Sequence, residues 1–323
     1  MGCINTREST KEENSVYERS YSQRSIKFET KQTQKLVVPR IPKLSPEKVI
    51  EPQKISPMHC GIANIGSSCY FNSLIQVFAH IDELFSIKQS NSQNQLFDSF
   101  LQLLSSVRSS NFNLTTHNAN LLLEKLSKID SSYNIGNQND TKSLFTLLCG
   151  NFENKLSTIF IWKKILKLEH KATKKKCNNS EHPIPYFLFP AANNITTDAF
   201  QKTKMSYFLG ENNQERYCNS CKIKSICNEI VTCIPALYTV FVAGSLGSSG
   251  KLSNLQSFKF NNDLYLLKSV IIRKGAINNG HSIALCNENN EWWYYDDTSI
   301  SKFTGNIVSN IYILFYKRIV DKI

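Results

Sequence analysis

The spacing of apolar residues changes once along this chain, and that change limits the folds open to it. Between Cys60 and about Gly150 the period is helical. Leu96, Phe97, Phe100, Leu101 and Leu104 form one stripe, and Leu121, Leu122, Leu123 and Leu126 another. Beyond that point Ile184–Phe189, Leu237–Val242, Asp263–Arg273, His281–Cys286, Trp292–Tyr295 and Asn310–Arg318 read as strands rich in Val, Ile, Tyr and Phe. Helices first and strands later predict an α+β fold built on an antiparallel sheet. No internal repeat is visible.

With 323 residues, 41% hydrophobic and 20% charged, the chain can bury a core of real size. No apolar run approaches the roughly 18 residues that cross a bilayer, and no export signal is present, so the expected location is cytoplasmic. Ten cysteines dispersed over such a chain read as reduced thiols. The net charge is +12, yet only Lys174–Lys176 form a compact basic run. With no reader motif beside it, no nucleic-acid partner is expected.

Residues 1–59 hold five of the nine prolines and are rich in Ser, Lys, Glu and Gln, so they are predicted to be a disordered arm. Its start, MGCINT, fits a short and permissive N-myristoylation pattern, with Gly2 exposed after Met removal and Thr6 in place. Cys3 supplies a second acyl site. One acyl chain holds a membrane marginally and two hold it stably, which predicts a peripheral protein on a cytosolic membrane face.

Residues 61–72, GIANIGSSCYFN, set Cys69 between a Gly/Ser turn and a helical run of Phe71, Leu74, Ile75 and Phe78. A thiol in the first turn of a helix meets unpaired N–H groups that favour thiolate. The plain alternative is a small buried core cysteine. Further on, NGHSIALCNENNEWWYYDD (279–297) reads as two strands around a four-residue loop, Asn287–Asn290. Pairing Cys286 with Glu291 sets His281 opposite Asp296, where a carboxylate can orient the imidazole. Asp297 would then oppose Gly280 and face the other side, unless a bulge shifts the register.

These residues resemble the ubiquitin-specific proteases. The cysteine box of that family is matched by Gly61 to Gln76, its histidine box by Tyr265 to Val270 with Gly280-His281 and Trp292 to Asp297, and its QQDAxEF motif by Gln138 to Leu144. The resemblance spans about residues 60–318. It implies a papain-like catalytic domain over 60–319, with a helical thumb (about 60–150), fingers (about 155–245) and an antiparallel palm in the remainder. It also implies a deubiquitinase that cleaves the bond between the C-terminal glycine of ubiquitin and a substrate lysine. Cys69 is then the nucleophile, His281 the base, Asp296 its orienter and Asn64 the oxyanion donor, while Asp140 contacts the ubiquitin tail or simply caps a helix.

Family members often carry two CxxC knuckles in the fingers. Cys218 and Cys221 form one, whereas Cys177 has Ser180 where its partner is expected, with His182 nearby. Structural zinc held by Cys177, Cys218, Cys221 and His182 is one expectation, and a metal-free finger the other. No cofactor is expected for catalysis. Ser282, Arg273, Ala243-Gly244, Ser143 and Leu144 depart from the family pattern, several of them where the family touches ubiquitin. They keep open a ubiquitin-binding module without turnover, or a protease for another ubiquitin-like modifier.

Overall fold

A computed structural model describes residues 59–87, 94–170, 180–184, 186–189, 194–196, 198–199, 214–218, 223–233, 235–243, 248–260, 263–276 and 279–319. The predicted acylation residues Gly2 and Cys3 lie outside these, as do Cys177 and Cys221. Helices come first: α1 (Cys69–Ala79), α2 (Asp82–Phe85), α3 (Gln95–Arg108), α4 (Phe112–Ile129), α5 (Thr141–Asn151) and α6 (Glu153–Phe160). Side chains of Asn94, Asn111 and Asp140 accept the N–H of Phe97, Leu114 and Ser143, which fixes where α3, α4 and α5 begin.

The strands follow: β1 (Trp162–His170), β2 (Ser180–Ile184), β3 (Phe187–Phe189), β4 (Gln214–Cys218), β5 (Ile223–Cys233), β6 (Leu237–Val242) and β7 (Ser249–Lys251). After a short helix, α7 (Leu252–Leu255), come β8 (Ser257–Phe260), β9 (Asp263–Gly275), β10 (Gly280–Glu288), β11 (Glu291–Asp296), β12 (Ser299–Phe303), β13 (Ile307–Ser309) and β14 (Ile311–Ile319). The main sheet runs β12-β11-β10-β9-β14-β6-β3, with β8 also on β9. A second sheet runs β2-β1-β5-β4, and β13 pairs with β7. His182 lies in β2, and Cys218 ends β4 opposite Ile223.

The α+β class holds, but the main sheet is mixed rather than antiparallel throughout. β3 runs parallel to β6. The chain between them makes β4 and β5 of the other sheet, and so long a crossover lets the returning strand enter in the same direction. The expected strand Ile184–Phe189 is also two pieces, the end of β2 and all of β3.

Side chains alternate across the main sheet. Ile271, Ala284, Cys286, Trp293 and Tyr295 join the core that contains α1, while Val270, Ile272 and Leu285 join a second core with Phe258, Tyr316 and Leu255. α1 is buried on every side. Phe71, Leu74, Ile75 and Phe78 have no exposed surface, and burying each contributes about 1.5–3 kcal/mol. Its polar residues are buried as well, because they staple the preceding loop. Gln76 donates to the Cys60 carbonyl at 2.7 Å, and Asn72 to the Ala63 carbonyl at 3.2 Å.

Gly66 sits in that loop at φ +74°, and a Cβ there would lie 2.7 Å from Cα of Gly136. Gly66→Ala is therefore expected to lose about 1–2 kcal/mol from the left-handed backbone alone, with more from displacing Gly136. A denaturant midpoint equal to that of the wild type would contradict this reading of the contact.

Candidate active site

Cys69 opens α1 and points to the start of β10. It is 3% exposed, and its Sγ donates to the Gly280 carbonyl at 3.9 Å. The Gln138 side-chain amide donates to the same carbonyl, tying the turn before α5 to this strand end. A Cβ on Gly280 would meet the Ala276 carbonyl oxygen at 2.3 Å, so only glycine lets the backbone close here.

The thiol is held above its ordinary pKa, contrary to the expectation from the helix start. Burial is the largest cause. Backbone N–H groups of Ser282 and Tyr70 and the Arg273 charge act the other way, but do not overcome it. The resting group is thus a neutral thiol, to be deprotonated as it reacts. Alkylation of Cys69 in the free protein, followed by peptide mass spectrometry, is expected to accelerate about tenfold per pH unit through neutrality. A plateau at neutral pH would instead reveal a preformed thiolate.

His281 Nε2 lies 2.5 Å from Asp296 Oδ1. The carboxylate orients the ring and leaves Nδ1 as the nitrogen open to a thiol. The expected partner is correct, although the hairpin differs from the one expected. The turn is two residues, Asn289 and Asn290, both at positive φ (50° and 67°), as a type I′ turn requires. Cys286 therefore pairs with Trp293, not Glu291. The error is two residues, an even number, so no side chain changes face. Continuing the observed register sets Asp296 across from Ile283, with His281 the diagonal neighbour on the same face.

Asp297 does different work. At φ 52° it turns out of β11, and its carboxylate accepts Asn72 Nδ2 at 2.7 Å and Asn64 Nδ2 at 2.8 Å. Its carbonyl accepts the Ile62 N–H at 2.9 Å. Asn64 is held at both ends, since its Oδ1 accepts the Ser68 N–H at 3.0 Å. Asp297 thus takes one of the two Asn64 amide hydrogens. Ser68 occupies the N-cap position of α1 without capping it, because its hydroxyl accepts the Ile65 N–H at 2.8 Å. The sequence named Asn72 only as part of a motif, and nothing in strand parity singled out the Asn72–Asp297 bond.

Asp140 caps α5 and also accepts the Tyr312 hydroxyl at 2.5 Å. Lys142 crosses the Tyr312 ring at 3.6 Å and donates to the Val242 carbonyl at 2.6 Å. Burial lowers its pKa to about 8. Arg273, where the family pattern expects histidine, is fully buried and donates to Ser282 Oγ at 3.1 Å. Beside them a cavity of about 730 Å³ is lined by Tyr133, Lys142, Leu147, Tyr186, Leu188 and Phe241.

The family model for ubiquitin carboxyl-terminal hydrolase matches residues 60–316. The chain belongs to that family. Ubiquitin carboxyl-terminal hydrolase 26 of Arabidopsis thaliana is 24% identical to it over 304 residues, covering 81% of this chain but only 28% of the relative. Among solved structures, the SAGA DUB module of a cysteine-to-alanine variant of Ubp8 with Sgf11, Sus1 and Sgf73, bound to monoubiquitin, matches with a TM-score of 0.60. The identity is 14%, over 81% of this chain and 69% of that one. The same module bound to ubiquitin aldehyde gives 0.57 at 14% identity, over 81% and 70%. These likenesses establish the ubiquitin carboxyl-terminal hydrolase fold.

Proposed function

We propose that this hydrolase is a thiol-dependent deubiquitinase acting on the bond between the C-terminal glycine of ubiquitin and a substrate lysine. The supporting observation is the placement of Cys69 at the Gly280 carbonyl, next in sequence to a His281 already paired with Asp296. His281 Nδ1 takes the thiol proton as Sγ attacks the glycine carbonyl. The oxyanion forms toward the Asn64 amide and the Cys69 N–H. His281 then protonates the leaving lysine amine, and water, deprotonated by the same ring, hydrolyses the thioester. Asp296 keeps the tautomer and stabilises the imidazolium throughout. The helices to α5 act as thumb, the second sheet (β2-β1-β5-β4) as fingers, narrower than the expected 155–245 because β3 and β6 join the main sheet, and the main-sheet strands as palm, with Asp140 and Lys142 along the path of the modifier tail.

A panel of C-terminal electrophiles of ubiquitin and ubiquitin-like proteins tests this. Covalent labelling of Cys69 by the ubiquitin probe is expected, and no labelling by any probe would refute the activity. Arg273, Ser282 and Ser143, buried or exposed beside the cysteine and α5, favour as a second reading a different modifier of the same class, which selective labelling by another probe would identify.

Two further proposals rest on sequence. Gly2 and Cys3 are acylated and hold the protein at the cytosolic face of a membrane, so Gly2→Ala is expected to move it to the soluble fraction. Cys177, Cys218, Cys221 and His182 form a zinc site in the fingers.

A further inference from the structure

Far from Cys69, three metal-binding side chains converge in the interior. His59 precedes the loop to α1, His80 follows the last turn of α1, and Glu288 stands just before the β10–β11 turn. His59 and Glu288 are 8% and 4% exposed, and the His80 side chain 4%. His59 Nδ1 lies 3.3 Å and His80 Nε2 2.6 Å from the same oxygen, Glu288 Oε1, and the three donor atoms all fall within 4.8 Å of one another. We propose that His59, His80 and Glu288 form a divalent-metal site, with zinc the ion that this donor set selects.

The outer contacts are those that metal ligands need. His80 Nδ1 lies 2.6 Å from the Gln76 carbonyl, which fixes the hydrogen on Nδ1 and turns Nε2 inward. The Tyr295 hydroxyl donates to Glu288 Oε1 and orients the carboxylate. Without a cation, two ring nitrogens and a hydroxyl all crowd one oxygen that has two lone pairs. Around tetrahedral zinc, ligand atoms stand roughly 3.3 Å apart. The His59–Glu288 separation already has that value, and the His80–Glu288 contact needs to open by less than 1 Å. A cavity of about 290 Å³ borders all three residues and admits a water as the remaining ligand. The nearest guanidinium, Arg108, is turned to Asp82 at 2.8 Å.

Such an ion would clamp the last residues of α1 and β10 together. Their first residues carry Cys69 and Gly280-His281, so the metal would set the register of the two elements that make the active site.

The test uses full-length protein carrying Cys218→Ser and Cys221→Ser, which removes thiolate ligands in the fingers. After zinc loading and gel filtration, elemental analysis is expected to find one equivalent per chain. Cobalt in its place should give visible d–d absorption, and zinc should raise the melting temperature. Adding His80→Ala or Glu288→Gln should remove the equivalent and the absorption. His59→Asn, a milder change that keeps a polar side chain, should weaken zinc retention at least tenfold if the others fail to fold. Absence of zinc from the loaded Cys218→Ser, Cys221→Ser protein, or its retention in all three further variants, would overturn the site.

Discussion

Cys69→Ala is expected to lower turnover of a ubiquitin C-terminal amide by about six orders of magnitude, the loss typical when a nucleophile that works as part of a unit is removed. Ubiquitin should still bind, since the thiol is 3% exposed and offers the modifier little surface. Asp296→Ala removes only the group that orients His281, so its cost is smaller, about 10²–10⁴ in kcat with KM little changed. Asp296 is 43% exposed and carries no loop, so the melting temperature should not move. Single-turnover rates on a fluorogenic ubiquitin amide measure both variants. Wild-type turnover in Cys69→Ala would place the chemistry elsewhere.

Much of this site was legible because strand parity is robust. The sequence placed the β10–β11 turn two residues too long, yet His281 and Asp296 were still assigned to one face, since an even shift leaves alternation intact. A one-residue error would have selected Asp297. The helices were legible for a similar reason: Phe97, Phe100, Leu104, Leu122 and Leu126 are all buried, as their spacing required.

The less legible parts depend on partners distant in sequence. β1 reads WKKILKLEH and shows no clean period, and its pairing with β5 some sixty residues on is what makes it a strand. The thiol's raised pKa is not legible, because a helix start is visible in sequence and depth of burial is not. Around Cys69, desolvation outweighs the helix N-terminus. Arg273 reads as a departure from the family pattern, and only the fold shows that it and Lys142 are both drawn to the Tyr312 ring, at 5.6 and 3.6 Å.

Asp297→Ala is expected to damage stability and activity together, in contrast with Asp296→Ala. Its carboxylate is the nearest acceptor for Asn72, which is 1% exposed, so deletion leaves a buried amide with only longer bonds to the Ile62 and Ala63 carbonyls. That loss should cost about 1–3 kcal/mol, read as a lowered denaturant midpoint. Asn64 is released at the same time, so kcat should fall while KM holds, because an oxyanion donor acts only once charge develops. Asp297→Asn keeps one acceptor oxygen and should recover part of both losses. The coupling is open to a double-mutant cycle with Asn64→Ala: if Asp297 acts on catalysis by holding Asn64, the second substitution adds little to the first in kcat. Fully additive losses would mean that Asp297 serves only the fold, and that Asn64 finds its position without it.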